Sequence, residues 1–469
     1  MKTETFLYET IAADFSRQIL NGLLLANDKL PSIRRICGMY LVSMSTALKA
    51  YDALESRGLI HSRPQSGYFV RPLRQVPALP NVSVPSARMG NEDPSVLVSK
   101  VYKEVNSNQV MLSLGVPSKD YLPLHKLNKL VCKTVWQLED HGSGYENIDG
   151  SANLRRQVAR MSYNWGAQLR EDEILPTAGC TAAMAHCLMA LTEKGDTIAV
   201  ESPVYFGILQ LAKSLGLNVL ELPTHPQTGI DLEALKKSLQ NNSIKLCLLV
   251  TNFSNPMGST MPVEHKKELV QLLAHYDIPL IENDMYGDLY FGDQRPLNCK
   301  AFDESGLVLL CSSVSKTLAP GYRVGWLTPG KFAEKIKRVK FSNTISSSTL
   351  TQEVVASFLE KGRYEQHLKT LRKTLHYNSL QYMEAINTYF PDDVKVSRPE
   401  GGFMLWIELA KHINTADLYD QAIKLKVSIA PGRMFTLQNQ FNNCMRLSYG
   451  LPWNESTLQA IKTIGALLS

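Results

Sequence analysis

One lysine in this sequence has neighbours suited to covalent chemistry. Lys316 lies among small hydroxyl residues in the stretch 312–326, and a Pro-Gly turn and then Arg323 follow it. A lysine amine condenses with aldehydes, while hydroxyl groups and an arginine bind phosphate. The combination is that of a pyridoxal phosphate site, in which a lysine holds the cofactor as a Schiff base. For an isolated Ser-x-x-Lys, a surface lysine in a serine-rich loop is the better interpretation, so the other residues decide.

Short apolar strands alternate with helical stretches from about Val96 onward. This alternation predicts an α/β fold with a mostly parallel sheet, and such sheets bind ligands beyond the carboxyl ends of their strands. The predicted strands are 197–200, 245–250, 278–281 and 307–311. The residues of interest that follow these strands are Tyr205, Asn255, Asp284 with Tyr286, and Lys316.

These residues offer distinct contacts to a planar pyridine cofactor. Tyr205 could stack on the ring, the amide of Asn255 could donate to a phenolate oxygen, and an ionised Asp284 could keep the pyridine nitrogen protonated. Alternation along a strand would place Tyr286 on the same side as Asp284. Taken singly, each residue has an ordinary structural alternative. Tyr205 could be a loop tyrosine that only packs, Asn255 could belong to an Asn-Pro turn with local bonding, and Asp284 could be a strand-end acid on a solvated rim.

The stretch 177–183 opens a helix with glycine followed by small and hydroxyl residues. Free N–H groups at a helix N-terminus bind phosphate, so this stretch is a candidate phosphate cradle. Many helices begin in this way, and the signal is weak when it is taken alone.

The first 74 residues hold an excess of positive charge, with ten lysines and arginines against six acids. A helix is predicted over 7–24, a second from the N-cap Ser32 through Tyr40, and a third from the N-cap Ser43 to the C′ residue Gly58. Strands at 59–61 and 68–70 then flank a hairpin turn. Together these elements predict a winged helix-turn-helix domain.

In that geometry the third helix enters the DNA major groove and the wing reaches a neighbouring groove or phosphate. Arg34 and Arg35 would make backbone contacts that set the register. The candidate DNA contacts are Arg34, Arg35, Ser43, Met44, Ser45, Thr46, Lys49, Arg63 and Gln65. The alternative is a small helical interaction domain with a solvated basic face.

The amino-acid sequence of this segment resembles that of the GntR family of bacterial transcriptional regulators. The resemblance rests on Leu-Pro-Ser-Ile-Arg-Arg at 30–35, on the run 42–60, and on Ser-Gly-Tyr-Phe-Val at 66–70. Many relatives carry arginine where this chain has Met44, and this departure implies a different operator.

From about Gly115 onward, the order of cradle, aromatic residue, Asn-Pro-x-Gly, Asp-x-Tyr and Ser-x-x-Lys-x₆-Arg resembles the fold-type I, class I aminotransferases. By that resemblance Lys316 would carry pyridoxal phosphate, Asp284 would pair with the pyridine nitrogen, and Arg446 would bind a substrate carboxylate. Tyr145 would reach the site of a neighbouring subunit, which implies a homodimer. The phosphate would be held by Gly179, Cys180, Thr181, Ser313, Ser315 and Arg323.

A GntR-type domain joined to an aminotransferase-like domain is the layout of the MocR subfamily, which the chain resembles over nearly its whole length. The implied boundaries are 1–74 for the DNA-binding domain, 75–95 for a linker, and 96–469 for the cofactor domain, with a small subdomain from about 370. The resemblance implies a regulator that binds double-stranded DNA and senses an amino compound through aldimine formation. The alternatives are an active aminotransferase with an added DNA-binding domain, and a scaffold that only dimerises.

Composition narrows the class of protein further. The chain has 469 residues, of which 44% are hydrophobic and 20% charged, as in ordinary globular proteins. Its eight cysteines form no C-x-x-C pair, so we expect no metal site. No apolar run is long enough to span a bilayer, and the first residues include acids where a signal peptide is apolar. We therefore expect a cytoplasmic protein.

Overall fold

The structure is a computed structural model that describes residues 7–21, 23–63, 66–71, 77–85, 94–103, 109–241 and 244–468. The chain divides into two compact units, Met1–Pro77 and Ala78–Ser469.

The first unit contains three helices and a hairpin, which confirms the predicted winged helix-turn-helix. The two strands of the hairpin are antiparallel, with Ile60 opposite Val70. Its elements are α1 (Leu7–Leu20), α2 (Ile33–Tyr40), α3 (Met44–Ser56), β1 (Ile60–Arg63) and β2 (Gly67–Val70).

The helix boundaries in this unit follow from capping. The hydroxyl of Ser32 accepts from the backbone N–H of Arg35 at 3.3 Å, and that of Ser43 accepts from the N–H of Thr46 at 3.2 Å. Gly58 follows α3 with a φ of 68°, a conformation that glycine adopts without strain. The predicted caps are thus confirmed.

The core of the first unit forms where the apolar faces of α1 and α3 meet. Ile11, Phe15 and Ile19 on α1 are buried together with Tyr51 and Leu54 on α3. Leu7, at the start of α1, is exposed and lies outside this core. The predicted end of α1 was too late, since the helix stops at Leu20.

The second unit is a larger α/β structure. Its elements are α4 (Pro94–Lys103), β3 (Val110–Met111), α5 (Leu124–Gln137), α6 (Ala152–Ser162), β4 (Leu175–Thr177), α7 (Cys180–Leu191), β5 (Thr197–Glu201), α8 (Phe206–Ser214), β6 (Asn218–Leu222), β7 (Thr224–His225), β8 (Gly229–Ile230), α9 (Leu232–Asn241), β9 (Ile244–Leu249), α10 (Val263–His275), β10 (Leu280–Asn283), β11 (Val308–Ser313), β12 (Gly325–Thr328), α11 (Ala333–Thr344), α12 (Thr349–Leu359), α13 (Arg363–Tyr389), β13 (Lys395–Val396), β14 (Met404–Glu408), α14 (Thr415–Lys424), β15 (Val427–Ser428), β16 (Ala430–Pro431), β17 (Cys444–Ser448) and α15 (Glu455–Leu468).

A seven-stranded sheet among the described residues organises this unit, in the order β4-β12-β11-β10-β9-β5-β6. The pairs from β11 through β10, β9 and β5 to β6 are parallel, whereas β12 is antiparallel to β11 and to β4. Every residue of β10 and β11 is buried, as expected for strands covered by helices on both faces. The predicted mostly parallel sheet and its four strands are confirmed, with ends displaced by one or two residues.

A second sheet of four antiparallel strands lies in the C-terminal part, in the order β13-β14-β17-β16. The segment 78–85, which the sequence assigns to the linker, contacts other parts of this unit. Ala78 pairs with Lys395 of β13, and both the backbone and side-chain N–H groups of Asn81 donate to Glu408 on β14. Residues 78–85 of the predicted linker therefore pack on the second unit and form hydrogen bonds with it.

Among the helices that the structure describes, none has the length and apolar character needed to cross a membrane.

Gly325 holds the position of β12 through close backbone packing. A Cβ atom at this residue would lie 2.7 Å from backbone atoms of Gly179 and of Ser312. We therefore expect Gly325→Ala to lower the free energy of unfolding by about 1–3 kcal/mol, measured by urea denaturation of the full chain. Gly321→Ala is the matched control, because a Cβ there has no neighbour within 4 Å. Equal stability of the two variants would contradict the expectation.

Candidate functional site

The topology brings the ends of several strands to one edge of the large sheet. Asn255 follows β9, Asp284 follows β10, and Lys316 follows β11, and these three strands are parallel neighbours. β12 is antiparallel to both β11 and β4. β4 therefore runs in the same direction as β11. The N-terminus of α7 therefore opens at the same edge.

Lys316 lies on a short turn directly beyond β11. Its Nζ donates to the carbonyl oxygen of Gly115 at 2.5 Å. Burial, with smaller contributions from the positive charges of Arg446 and Arg323, lowers the pKa of Lys316 to about 8. A larger fraction of this amine is neutral near physiological pH than of an exposed lysine, as a nucleophile requires.

Arg446, Asn255 and Tyr286 form a connected polar cluster beside Lys316. The Nη1 of Arg446 donates to Oδ1 of Asn255 at 3.0 Å, and Nδ2 of Asn255 lies 3.4 Å from the hydroxyl of Tyr286. Arg446 also donates to the carbonyl of Ser113, and its guanidinium is 5.1 Å from the ring centroid of Phe435. Burial raises the pKa of Tyr286, so its hydroxyl remains a proton donor.

Asp284 is buried and paired with an arginine that sequence reasoning did not identify. One carboxylate oxygen, Oδ2, binds Nη2 of Arg295, while the other, Oδ1, lies 3.3 Å from the amide of Asn252. The Nε of Arg295 also contacts Asp288 at 2.7 Å. Burial by itself would lower the pKa of Arg295, but the two carboxylates raise it above its ordinary value.

The same network extends through Tyr364 to the turn that carries Lys316. The hydroxyl of Tyr364, on α13, contacts Oδ2 of Asp288 at 2.9 Å and Oγ1 of Thr317 at 2.8 Å. Thr317 directly follows Lys316 in the chain. A continuous set of polar contacts thus joins Asp284 to the backbone that carries Lys316.

The residues of the predicted phosphate cradle lie at the start of α7. Gly179 is the N-cap with a φ of 90°, and Cys180 is the first helical residue. A Cβ atom at Gly179 would lie 2.5 Å from Nη2 of Arg323, which shows that the Arg323 side chain packs directly against this glycine. Arg323 also contacts Oγ of Ser315 at 3.4 Å. Ser313, at the end of β11, accepts from the N–H of Ser315 at 3.3 Å.

Three other residues predicted to bind the cofactor differ in how exposed their side chains are. Tyr205 is half-buried, and burial raises the pKa of its hydroxyl to about 12. Thr181 on the first turn of α7 is exposed. Tyr145 is 86% exposed, so the structure does not bury it with the other predicted cofactor residues.

Asp284 and Tyr286 do not lie on one strand, contrary to the prediction. Strand alternation was expected to place Asp284 and Tyr286 on one side of a strand, but β10 ends at Asn283. Asp284 and Tyr286 lie in the turn that follows, and Tyr286 has a helical backbone conformation. Their approach to the site is set by this turn, because the chain must leave the sheet edge there.

Residues supporting Asp284 were missed by the sequence analysis. Asn252 lies in the same turn as Asn255, and its position after β9 could have drawn attention to it. Lys266 orients this asparagine, with Nζ donating to its Oδ1 at 2.6 Å. Arg295 carried no local signal, being 11 residues from its partner in an irregular stretch.

The predicted DNA contacts lie at the surface of the first unit. Gln65 lies outside the described residues, and Thr46 is half-buried. The exposed members are Arg34, Arg35, Ser43, Met44, Ser45, Lys49 and Arg63.

Arg63 is held in place on the wing. Its Nη2 donates to Oδ1 of Asn27 at 3.1 Å, and its guanidinium lies 4.3 Å from the ring centroid of Phe69. Such contacts restrict the side chain before any ligand arrives.

The buried pair beneath the site gives a stability prediction. Arg295→Gln leaves Asp284 and Asp288 without their cation, and removing one partner of a buried ion pair costs about 3–5 kcal/mol. We expect this loss in the free energy of unfolding of the full chain. Arg170→Gln is the control, since its pairs with Asp172 and Glu173 are exposed and contribute about 0–1 kcal/mol. Equal losses of unfolding free energy in the two variants would show that the buried pair contributes no more to stability than the exposed pairs.

Comparisons with known proteins agree with this architecture. The model of the family described as "Aminotransferase class I and II" matches residues 112–461, and that of "Bacterial regulatory proteins, gntR family" matches residues 7–70. The uncharacterized HTH-type transcriptional regulator YjiR of Escherichia coli (strain K12) is 35% identical over 459 residues, covering 98% of each chain. The uncharacterized HTH-type transcriptional regulator YdcR of the same organism is 36% identical over 475 residues, again covering 98% of each chain.

A solved structure shows the same cofactor-domain fold. LysN, an α-aminoadipate aminotransferase from Thermus thermophilus complexed with N-(5'-phosphopyridoxyl)-L-leucine, gives a TM-score of 0.73 at 26% identity, covering 78% of this chain and 94% of that one. The chain therefore belongs to the GntR family of bacterial regulatory proteins, in the MocR group that joins a winged helix-turn-helix to a domain of the pyridoxal phosphate-dependent class I and II aminotransferases.

Proposed function

We propose that this protein is a transcriptional regulator that binds double-stranded DNA and responds to an amino compound through pyridoxal phosphate held on Lys316. The observation that carries the proposal is the presence, on one chain, of a winged helix-turn-helix and of a connected set of residues suited to this cofactor. That set comprises Lys316, Asp284, Asn255, Tyr286, Arg323 and Arg446.

The residues fit the cofactor chemically at each of its three polar ends. The start of α7, with Arg323 and Ser315, supplies N–H and guanidinium donors for a phosphate. Asp284 keeps Oδ1 outside its ion pair with Arg295, and this oxygen can accept from a protonated ring nitrogen. Asn255 and Tyr286 supply donors for a phenolate oxygen. When bound, pyridoxal phosphate supplies an aldehyde for amines and an electron-withdrawing ring.

Arg446 indicates the chemical class of the amino compound. Its guanidinium is fully buried, and its Nε has no hydrogen-bond partner in the part of the chain that the structure describes. A buried, incompletely satisfied guanidinium favours an anionic ligand, and its planar fork suits a carboxylate. The expected effector is therefore an amino compound that carries a carboxylate.

A second copy of the chain would complete the assembly. Tyr145 and Trp136 are 86% and 80% exposed on the second unit, which is unusual for large aromatic side chains. We infer that these side chains contact a second subunit, with Tyr145 reaching its site. A two-fold symmetric dimer would bind an operator of two symmetric half-sites.

The pKa of Lys316 predicts how cofactor attachment depends on pH. Only the neutral amine attacks an aldehyde, so the rate of attachment should rise with pH and level off above about 8. An ordinary lysine would continue to gain rate up to about pH 10.4. The measurement is the growth of visible absorbance after pyridoxal phosphate is added to cofactor-free protein. A rate still rising well above pH 8 would contradict the prediction, and absorbance that persists in Lys316→Ala would assign attachment to another lysine.

The regulatory proposal is tested by DNA binding with and without amino compounds. We expect the cofactor-loaded full chain to select a small number of genomic fragments. An effective amino compound should change its affinity for them by about 5–150-fold, the usual range of coupling between two sites. Lys316→Ala should still bind these fragments but lose the response.

Three outcomes would oppose this proposal. Failure to bind any genomic fragment at low salt would exclude a DNA-binding role. An undiminished response in Lys316→Ala would remove the cofactor from the mechanism. Steady turnover of an amino acid with a keto acid, without any effect on DNA binding, would favour the alternative of an aminotransferase with an added DNA-binding domain.

A further inference from the structure

The N-terminal half of α3 presents apolar side chains at the surface. Met44, its first residue, is 53% exposed, and Leu48, one turn later on the same helix face, is 39% exposed. Leu41, in the turn that precedes α3, is 91% exposed. Exposed apolar groups that lie together commonly mark a contact surface.

The hydroxyl groups at this end of α3 already have partners in the chain. Oγ of Ser43 lies 2.8 Å from Oγ of Ser45 and 2.9 Å from Oγ1 of Thr46. The same Ser43 oxygen caps the helix by accepting from the N–H of Thr46. These hydroxyls gain less from new hydrogen bonds than free ones would, because existing bonds must be exchanged.

The composition of α3 limits how it can recognise bases by hydrogen bonding. The helix contains no arginine, asparagine or glutamine, and Lys49 is its one residue of the types that form bidentate contacts with guanine or adenine. Its long basic residue, Lys49, has Nζ 6.0 Å from the ring centroid of Tyr8 on α1. The apolar side chains are therefore the most available groups for base contacts.

Charge around this surface favours DNA over an apolar protein partner. Arg34 and Arg35 are exposed on the neighbouring α2, and Lys49 is exposed on α3 itself. The N-terminus of α3 adds the positive end of its helix dipole, which attracts phosphate. The acids Asp52 and Glu55 lie in the later turns of α3, away from its N-terminal end.

We propose that Met44 and Leu48, with Leu41, recognise thymine methyl groups in the major groove. The inference rests on the proposed DNA-binding function and deepens it by naming the feature of the operator that α3 reads. The C5-methyl of thymine is the apolar group on the major-groove edge of the base pairs, and apolar side chains recognise it by contact. A·T pairs in each half-site are thus expected, with their thymine methyls facing α3.

The test compares thymine with uracil, which differs only in lacking this methyl group. Binding sites are first selected from random duplexes with the full chain, and each thymine of the selected site is then replaced by uracil. At one or two positions in each half-site, uracil should weaken binding by about fourfold, the effect of losing one buried methyl contact. Met44→Ala should bind the thymine and uracil duplexes with nearly equal affinity at one of these positions.

Two variants serve as controls. Met39→Ala removes an exposed methionine on α2, outside the proposed surface, and should keep the full preference for thymine. Lys49→Ala should weaken binding to both duplexes equally and reduce the dependence of affinity on salt, as for a residue that contacts phosphate.

The outcomes separate this inference from the function on which it rests. Tight, sequence-specific binding with no difference between thymine and uracil at any position would overturn the inference and leave the DNA-binding function intact. A thymine preference that Met44→Ala retains in full would overturn the assignment to Met44. Absence of any selected sequence would count against the DNA-binding function itself.

Discussion

The candidate cofactor site depends on an arginine buried between two carboxylates. Burying Asp284 without a cation would be very unfavourable, and Asp288 beside it would add repulsion. Arg295 neutralises part of this charge, yet two carboxylates against one guanidinium leave one negative charge over within the trio. In the proposed cofactor, a protonated pyridine nitrogen would balance that charge.

Close backbone approach is the second constraint on the site. β12 must lie against Gly179 and Ser312, and only glycine at position 325 allows this. The approach brings Arg323 close to the start of α7, so the proposed phosphate donors come from three separate stretches of chain. Their convergence is a property of the sheet order, since β4, β12 and β11 are neighbours although they are distant in sequence.

The sequence was informative where signals are local. Caps such as Ser32 and Ser43, the apolar strands, and the residues just beyond the strand ends could all be recognised from residue type and spacing. The supporting network could not, because the partners of Asp284 depend on tertiary packing. Arg295 comes from an irregular loop, and Tyr364 is 76 residues from Asp288. The side of a strand was also the wrong guide for Tyr286, because the chain had already turned out of the sheet.

The contact between Tyr364 and Thr317 has a mechanical consequence. Tyr364 stands at the start of α13, a helix of 27 residues. At a rise of about 1.5 Å per residue this helix is about 40 Å long. Near its other end, Tyr382 packs against Trp453 with ring centroids 5.2 Å apart. Since a helix is stiff along its axis, we expect a displacement of the turn that carries Lys316 to be transmitted along α13 towards Trp453.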